Sequence, residues 1–196
     1  MGRLAHLAGA ALLLAVPWAN AAENRTATFA GGCFWCVEEA FDAVDGVVRT
    51  TSGYANGHVK NPAYEQVAAG GTGHVESLQV EYDTDRVGYG ELLEVFWRNH
   101  DPTDTGGQFC DRGDQYRPAI FYASARQKRL AERSRAALRE ERPFEGPVKT
   151  PIEPLESFYP AEAYHQGYHE KNPVRYKFYK YTCGRPGRLE ELWGEG

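Results

Sequence analysis

The chain has 196 residues, with 22 bases against 27 acids and a formal charge of −5, a balance that excludes a basic nucleic-acid-binding domain. Its length and its aromatic content (13%, with twelve tyrosines) suit one domain with a sizeable core. Four cysteines include one C-x-x-C pair, but no second C-x-x-C or C-x-x-H completes a zinc framework.

Residues 1–21 read as a secretory signal peptide. Arg3 supplies the positive start, 7–16 an apolar stretch too short to span a bilayer, and Ala19-Asn20-Ala21 a small-residue pattern with cleavage near Ala21/Ala22. Residues 22–196 are then a single exported domain, periplasmic or secreted, with no stable membrane insertion and with 174–196 as a C-terminal tail. In an oxidising compartment a catalytic thiol must be re-reduced by a dedicated donor.

A strand over 26–30 leads into Gly31-Gly32, and Phe34, Val37, Phe41 and Val44 then mark one face of a helix that stops at Asp45-Gly46. Cys33 falls at that helix's N-terminus, where unpaired N–H groups and the macrodipole are expected to lower a thiol's pKa. Phe34 and Trp35 are placed to wall an apolar pocket. The Cys33/Cys36 pair would close a very small loop, a poor structural staple and a good redox switch.

A strand over 47–54 and a turn at Asn56-Gly57 follow. Asn61 and Pro62 fit an N-cap and first helical position for a short helix carrying Tyr64 and ending at Gly70-Gly71. Residues 75–82 alternate, which puts Glu76 on the apolar face with Leu78, Val80 and Tyr82. A carboxyl there is desolvated and held protonated; in the bland alternative it sits in water at a frayed strand end. Tyr89, Leu92, Leu93, Phe96 and Trp97 form an amphipathic helix ending near His100. The long loop over 103–115, of a length that is usually functional or mobile, carries Cys110 and Asp111. A strand over 118–123 and a charged helix over 125–141, opened by Ser124 with Gln127, come next. Pro147, Pro151 and Pro154 mark an extended edge segment. His165 and His169, four apart, make only a weak metal pair. The base-and-aromatic run over 175–181 is expected to cover the core. Strand–helix–strand units predict a two-layer α+β domain, and no coiled coil or repeat argues against a monomer.

Several motifs in order resemble one family, the type A peptide methionine sulfoxide reductases, from about Thr26 to Pro173. They are Gly32-Cys33-Phe34-Trp35, Asn61-Pro62-Ala63-Tyr64, Thr72-Gly73-His74-Val75-Glu76, Phe96-Trp97-Arg98-Asn99-His100-Asp101-Pro102, Gln115-Tyr116-Arg117 and Lys171-Asn172-Pro173. The resemblance implies a ferredoxin-like sandwich with a mixed sheet, long loops and an irregular tail. It implies reduction of methionine-S-sulfoxide, in proteins and free, without cofactor or metal. Cys33 would be the nucleophile and Glu76 the acid for the departing oxygen. Tyr64 and Tyr116 would hydrogen-bond that oxygen, Asp111 would hold the far side, and Phe34 and Trp35 would cradle the methyl group. A sulfenic acid on Cys33 would then be resolved by a second thiol, and the disulfide reduced by a thioredoxin-like donor.

Two departures concern this recycling. Many relatives have Gly where Cys36 stands, and a glycine-rich tail that supplies the resolving thiols. Here Cys36 is expected to resolve first, with Cys183 carrying the disulfide onward or resolving itself, and Cys110 filling apolar space. The alternatives are a thioredoxin-like disulfide oxidoreductase, independent of Glu76, and a secreted domain with two structural disulfides.

Overall fold

A computed structural model describes residues 24–194; the expected signal peptide lies outside them. In chain order the elements are β1 (Asn24–Ala30), α1 (Phe34–Asp42), β2 (Val47–Ala55), α2 (Tyr64–Ala68), β3 (Val75–Asp83), α3 (Tyr89–Arg98), β4 (Gly107–Gln108), β5 (Asp111–Arg112), β6 (Ala119–Tyr122), α4 (Ala125–Glu141), β7 (Ile152–Pro154), β8 (Phe158–Pro160), α5 (Tyr168–Lys171), α6 (Pro173–Thr182) and α7 (Arg185–Trp193).

The main sheet runs β7-β6-β1-β3-β2-β8. Its centre, β6-β1-β3-β2, is antiparallel and is built from two β–α–β passes through α1 and α3, the ferredoxin-like arrangement expected. β7 joins β6 in parallel and makes the sheet mixed. It does so at the edge, where a ladder tolerates Pro154.

The period-2 pattern of β1 and β3 brings Phe29 opposite Leu78, and α1 and α3 cover that face. Phe29 stacks between Phe41 and Phe96, ring centres 5.0 Å from each, in a core that includes Leu78, Val80, Leu92 and Leu93. Truncating such a ring costs about 3–5 kcal/mol, so this core fixes the direction in which α1 leaves the sheet. The opposite face holds a smaller cluster of Ala30, Ala55, Val75, Ala119 and Phe121. Among the described residues no helix is long and apolar enough to cross a membrane.

Two expectations need correction. The short helix begins at Tyr64 rather than Pro62, with Ala63 at its N-cap, and Asn61 lies before it with a left-handed φ of 48°. The Tyr64 N–H is instead satisfied from afar by Glu162 Oε1 at 2.8 Å. The C-terminal tail is not irregular. Pro173 starts α6, left-handed Gly184 turns the chain, and α7 follows. Tyr176 is 1% exposed on the inner side of α6, while Val174, Phe178 and Tyr181 point outward, so apolar residues on both sides hid the helical stripe.

Candidate active site

β1 ends in the core, and the chain must turn sharply to start α1. Gly32 makes that turn at φ +81°, where a Cβ would lie 2.5 Å from Gln108 Cβ; only glycine fits. The turn leaves Cys33 at the N-cap of α1, its carbonyl accepting the N–H groups of Cys36 and Val37 at 3.1 and 3.4 Å. Gln108 is itself fixed, fully buried and bonded through its amide to Asp101 and the Asp104 carbonyl. This anchors the loop over 103–115, which the β4–β5 hairpin further orders.

Glu76, the second residue of β3, points beneath the start of α1. Its Oε2 accepts the Phe34 N–H at 3.2 Å, and the residue is 2% exposed. The alternation expected of this strand therefore holds, and the frayed-end alternative does not. One cavity of about 60 Å³ is lined by Cys33, Phe34, Trp35, Tyr64, Glu76, Asp111, Tyr116 and Tyr179. Seven of the nine residues expected from the sequence thus meet at one place, brought from α1, α2, β3, β5 and the turn after β5.

The aromatic wall is held from behind. Tyr168 stacks on Trp35, centres 3.8 Å apart and planes 8° from parallel, while the Trp35 indole N–H donates to His165 Nδ1 at 3.1 Å. His169 lies instead between Glu38 and Asp42, so the two histidines serve different neighbours. Tyr179, which sequence reasoning missed, reaches in from α6 and donates its hydroxyl to Asp111 Oδ2. Its signal was the spacing of Tyr176, Tyr179 and Cys183, three and four residues apart on one side of α6.

Electrostatics set the protonation states. Burial pushes Glu76 up to about 8, opposed by the Phe34 N–H and reinforced by Asp111 and Cys36, so the carboxyl is protonated at neutral pH. Burial likewise raises Tyr64, to about 12, and Tyr116, leaving two hydroxyl donors. Cys33 departs from expectation. Burial, then Cys36 and Glu76, push its thiol above the ordinary range, opposed by a hydrogen bond from Tyr179. Cys36 falls to about 6, chiefly through a hydrogen bond from Cys33, with Arg185 and Lys180 adding. The pair therefore carries one shared anion, with the Cys33 thiol donating to Cys36.

The recycling cysteines are also rearranged. Cys33 and Cys36 are free and buried. Cys110, expected to fill apolar space, is exposed and joined to Cys183 in a disulfide with Cα atoms 4.8 Å apart. This bond lies at the rim of the cavity, next to Asp111. In this state Cys183 is bonded rather than a free thiol.

Comparison with known proteins gives concordant results. The family model for peptide methionine sulfoxide reductase matches residues 25–196. The peptide methionine sulfoxide reductase MsrA of Bacillus licheniformis is 49% identical over 174 residues, 89% of this chain and 96% of that one. The Bacillus subtilis MsrA is 49% identical over 172 residues, 88% and 97% respectively. Among solved structures, reduced Mxr1 from Saccharomyces cerevisiae aligns with a TM-score of 0.73 at 34% identity, covering 77% of this chain and 87% of that one. Mxr1 in complex with Trx2 aligns with a TM-score of 0.53 at 26% identity, covering 78% and 89%.

Proposed function

The chain belongs to the peptide methionine sulfoxide reductase family and is a thioredoxin-dependent oxidoreductase acting on methionine sulfoxide; from that premise we propose how its residues do the work. A sulfoxide oxygen leaves only when protonated, so the site needs a thiolate and an acid together. The observation that carries the reading is that Cys33 and the protonated Glu76 line one small aromatic-walled cavity.

The substrate's methyl group enters against Phe34 and Trp35. The hydroxyls of Tyr64 and Tyr116 donate to its oxygen, and Asp111, held by Tyr179, bounds the far side. Cys36 takes the Cys33 proton, and the Cys33 thiolate attacks the sulfoxide sulfur. Glu76 gives its proton to the oxygen, which transfers to Cys33. Methionine leaves reduced by two electrons, Cys33 is a sulfenic acid, and Glu76 is a carboxylate. Cys36 then attacks the Cys33 sulfur, and the hydroxyl of the sulfenic acid departs as water with the Cys36 proton. A neutral Cys33–Cys36 disulfide remains, Glu76 regains its proton from solvent, and the pair recovers its anion on reduction.

At 5% and 4% exposure, those two sulfurs are poorly reached by a protein donor. A thioredoxin-type dithiol instead opens Cys110–Cys183 at the rim, and the Cys183 thiolate exchanges with the inner disulfide, re-forming the outer one. Under this reading the chain works on oxidised proteins and free methionine sulfoxide in an exported compartment. The two methionine sulfoxide epimers, offered with a chemical dithiol, test this directly. Only the S epimer is consumed, and Cys33→Ser is inactive; turnover by Cys33→Ser would end the assignment. The thioredoxin-like alternative is disfavoured because it gives Glu76 no task.

A further inference from the structure

Arg185, the first residue of α7, is 3% exposed. Burying a full positive charge is costly unless something compensates it. Among the described residues its hydrogen-bond acceptors are two main-chain oxygens: Nη2 donates to Gly31 O at 2.7 Å and Nη1 to Asn99 O at 2.5 Å. Its guanidinium also lies 4.3 Å over the Phe109 ring. None of these neutralises it. The Gly31 carbonyl belongs to the turn that delivers Cys33, and a Cβ on Gly32 would sit 3.3 Å from Nη2. The guanidinium is therefore fastened to the backbone of the cysteine turn itself.

We propose that Arg185 is the resident countercharge of the buried Cys33/Cys36 pair, a positioning residue that keeps one thiolate there for both attack and resolution. This rests on the thiol chemistry set out above and adds the group that sustains it. The other charges near the pair bear on the same thiolate and are already engaged. On the α1–α6 side, Lys180 and Tyr176 both bond Glu39, a locally balanced trio. On the cavity side stand Glu76, held protonated, and Asp111, which burial raises while the hydrogen bond it accepts from Tyr179 and the charge of Arg185 lower it. Behind the turn, His100 is bonded to Phe96 O and Thr150 and stays neutral, with Arg185 among the causes. The cation left to balance the thiolate is Arg185, and Cys36 is lowered by it more than by any other charge.

The test needs no substrate, so it stands apart from the assignment of the reaction. In protein whose Cys110–Cys183 bond is intact, ultraviolet thiolate absorbance is titrated with Arg185→Gln, Arg185→Lys and, as an unrelated surface control, Arg86→Gln. Losing a nearby opposite charge is worth about 1–3 pH units. The midpoint in Arg185→Gln should rise by that amount, while Arg185→Lys and the control stay close to the parent. In single-turnover methionine release the rising limb of the pH profile should move up by the same amount in Arg185→Gln, the fall near pH 8 set by Glu76 staying in place, with the half-saturating substrate concentration unchanged. Should Arg185→Gln fail to fold, citrulline at position 185, introduced by ligating a synthetic segment that begins at Cys183, keeps the planar fork without its charge. A folded neutral variant whose thiolate midpoint matches the parent overturns the proposal, whatever its activity.

Discussion

Replacing Glu76 by Gln separates chemistry from stability, because the two should move in opposite directions. The amide can keep its carbonyl oxygen on the Phe34 N–H, now 3.2 Å from Oε2, so the start of α1 is preserved. It can donate a hydrogen bond to a sulfoxide oxygen but cannot give up a proton. General acid catalysis contributes roughly 10²–10⁴-fold, so single-turnover methionine release should fall by about that factor. Stability should respond the other way. The native carboxyl is held up to about 8, against roughly 4.3 in the unfolded chain. Between those values the unfolded state ionises while the folded state keeps its proton. The stabilisation this gives the protonated native form is complete below pH ~4 and is lost as pH rises to about 8. Each pH unit in that window costs about 1.4 kcal/mol, or about 3–4 kcal/mol by pH 7 as an order of magnitude. Glu76→Gln does not titrate. Its stability advantage over the parent should therefore grow from pH 5 to pH 8, as read by urea unfolding. Near-parental methionine release in the variant, or an advantage that shrinks with pH, would refute a buried neutral acid.

The same groups predict a bell-shaped single-turnover profile, rising near pH 6 as the cysteine pair ionises and falling near pH 8 as Glu76 loses its proton; a rate flat from pH 5 to 9 would contradict the assigned states. Cys36→Ser should release one methionine per enzyme and then accumulate a sulfenic acid trappable by dimedone, with turnover on a thioredoxin-type donor lost. Unimpaired turnover would remove Cys36 from the scheme. Opening Cys110–Cys183, which spans 73 residues, with Cys110→Ser/Cys183→Ser should lower unfolding free energy by up to about 4 kcal/mol. It should also slow the protein donor far more than a small dithiol, and equal effects on both donors would argue for a purely structural bond.

The site's first layer was legible because each residue left a local mark. Two glycines between a strand and a helix announced the turn that presents Cys33, and strict alternation in β3 put Glu76 on the buried face. What stayed hidden depended on distant partners. Glu162, 98 residues from Tyr64 in sequence, decides where α2 begins, which no local capping pattern around Asn61 could reveal. Cysteine connectivity is likewise not written in spacing, and the Cys110–Cys183 bond makes the rim covalent. α6 shows apolar side chains on its solvent face, with Val174 82% and Phe178 72% exposed, which masked the spacing of Tyr176, Tyr179 and Cys183, and nothing local marked the Arg185 that follows. The helix N-terminus argument for a low Cys33 pKa left out what local sequence does not show: burial and a neighbouring thiolate act on the same sulfur and push it up.

Intact-mass and peptide mass spectrometry of Cys36→Ser, reduced and then mixed with methionine-S-sulfoxide without any reductant, examines the central claim most directly. One oxygen should appear on Cys33, in step with one methionine released, and the Cys33→Ser protein should gain none. Methionine formed with no oxygen or dimedone adduct on Cys33, or with the oxygen on another residue, would contradict attack by the Cys33 thiolate.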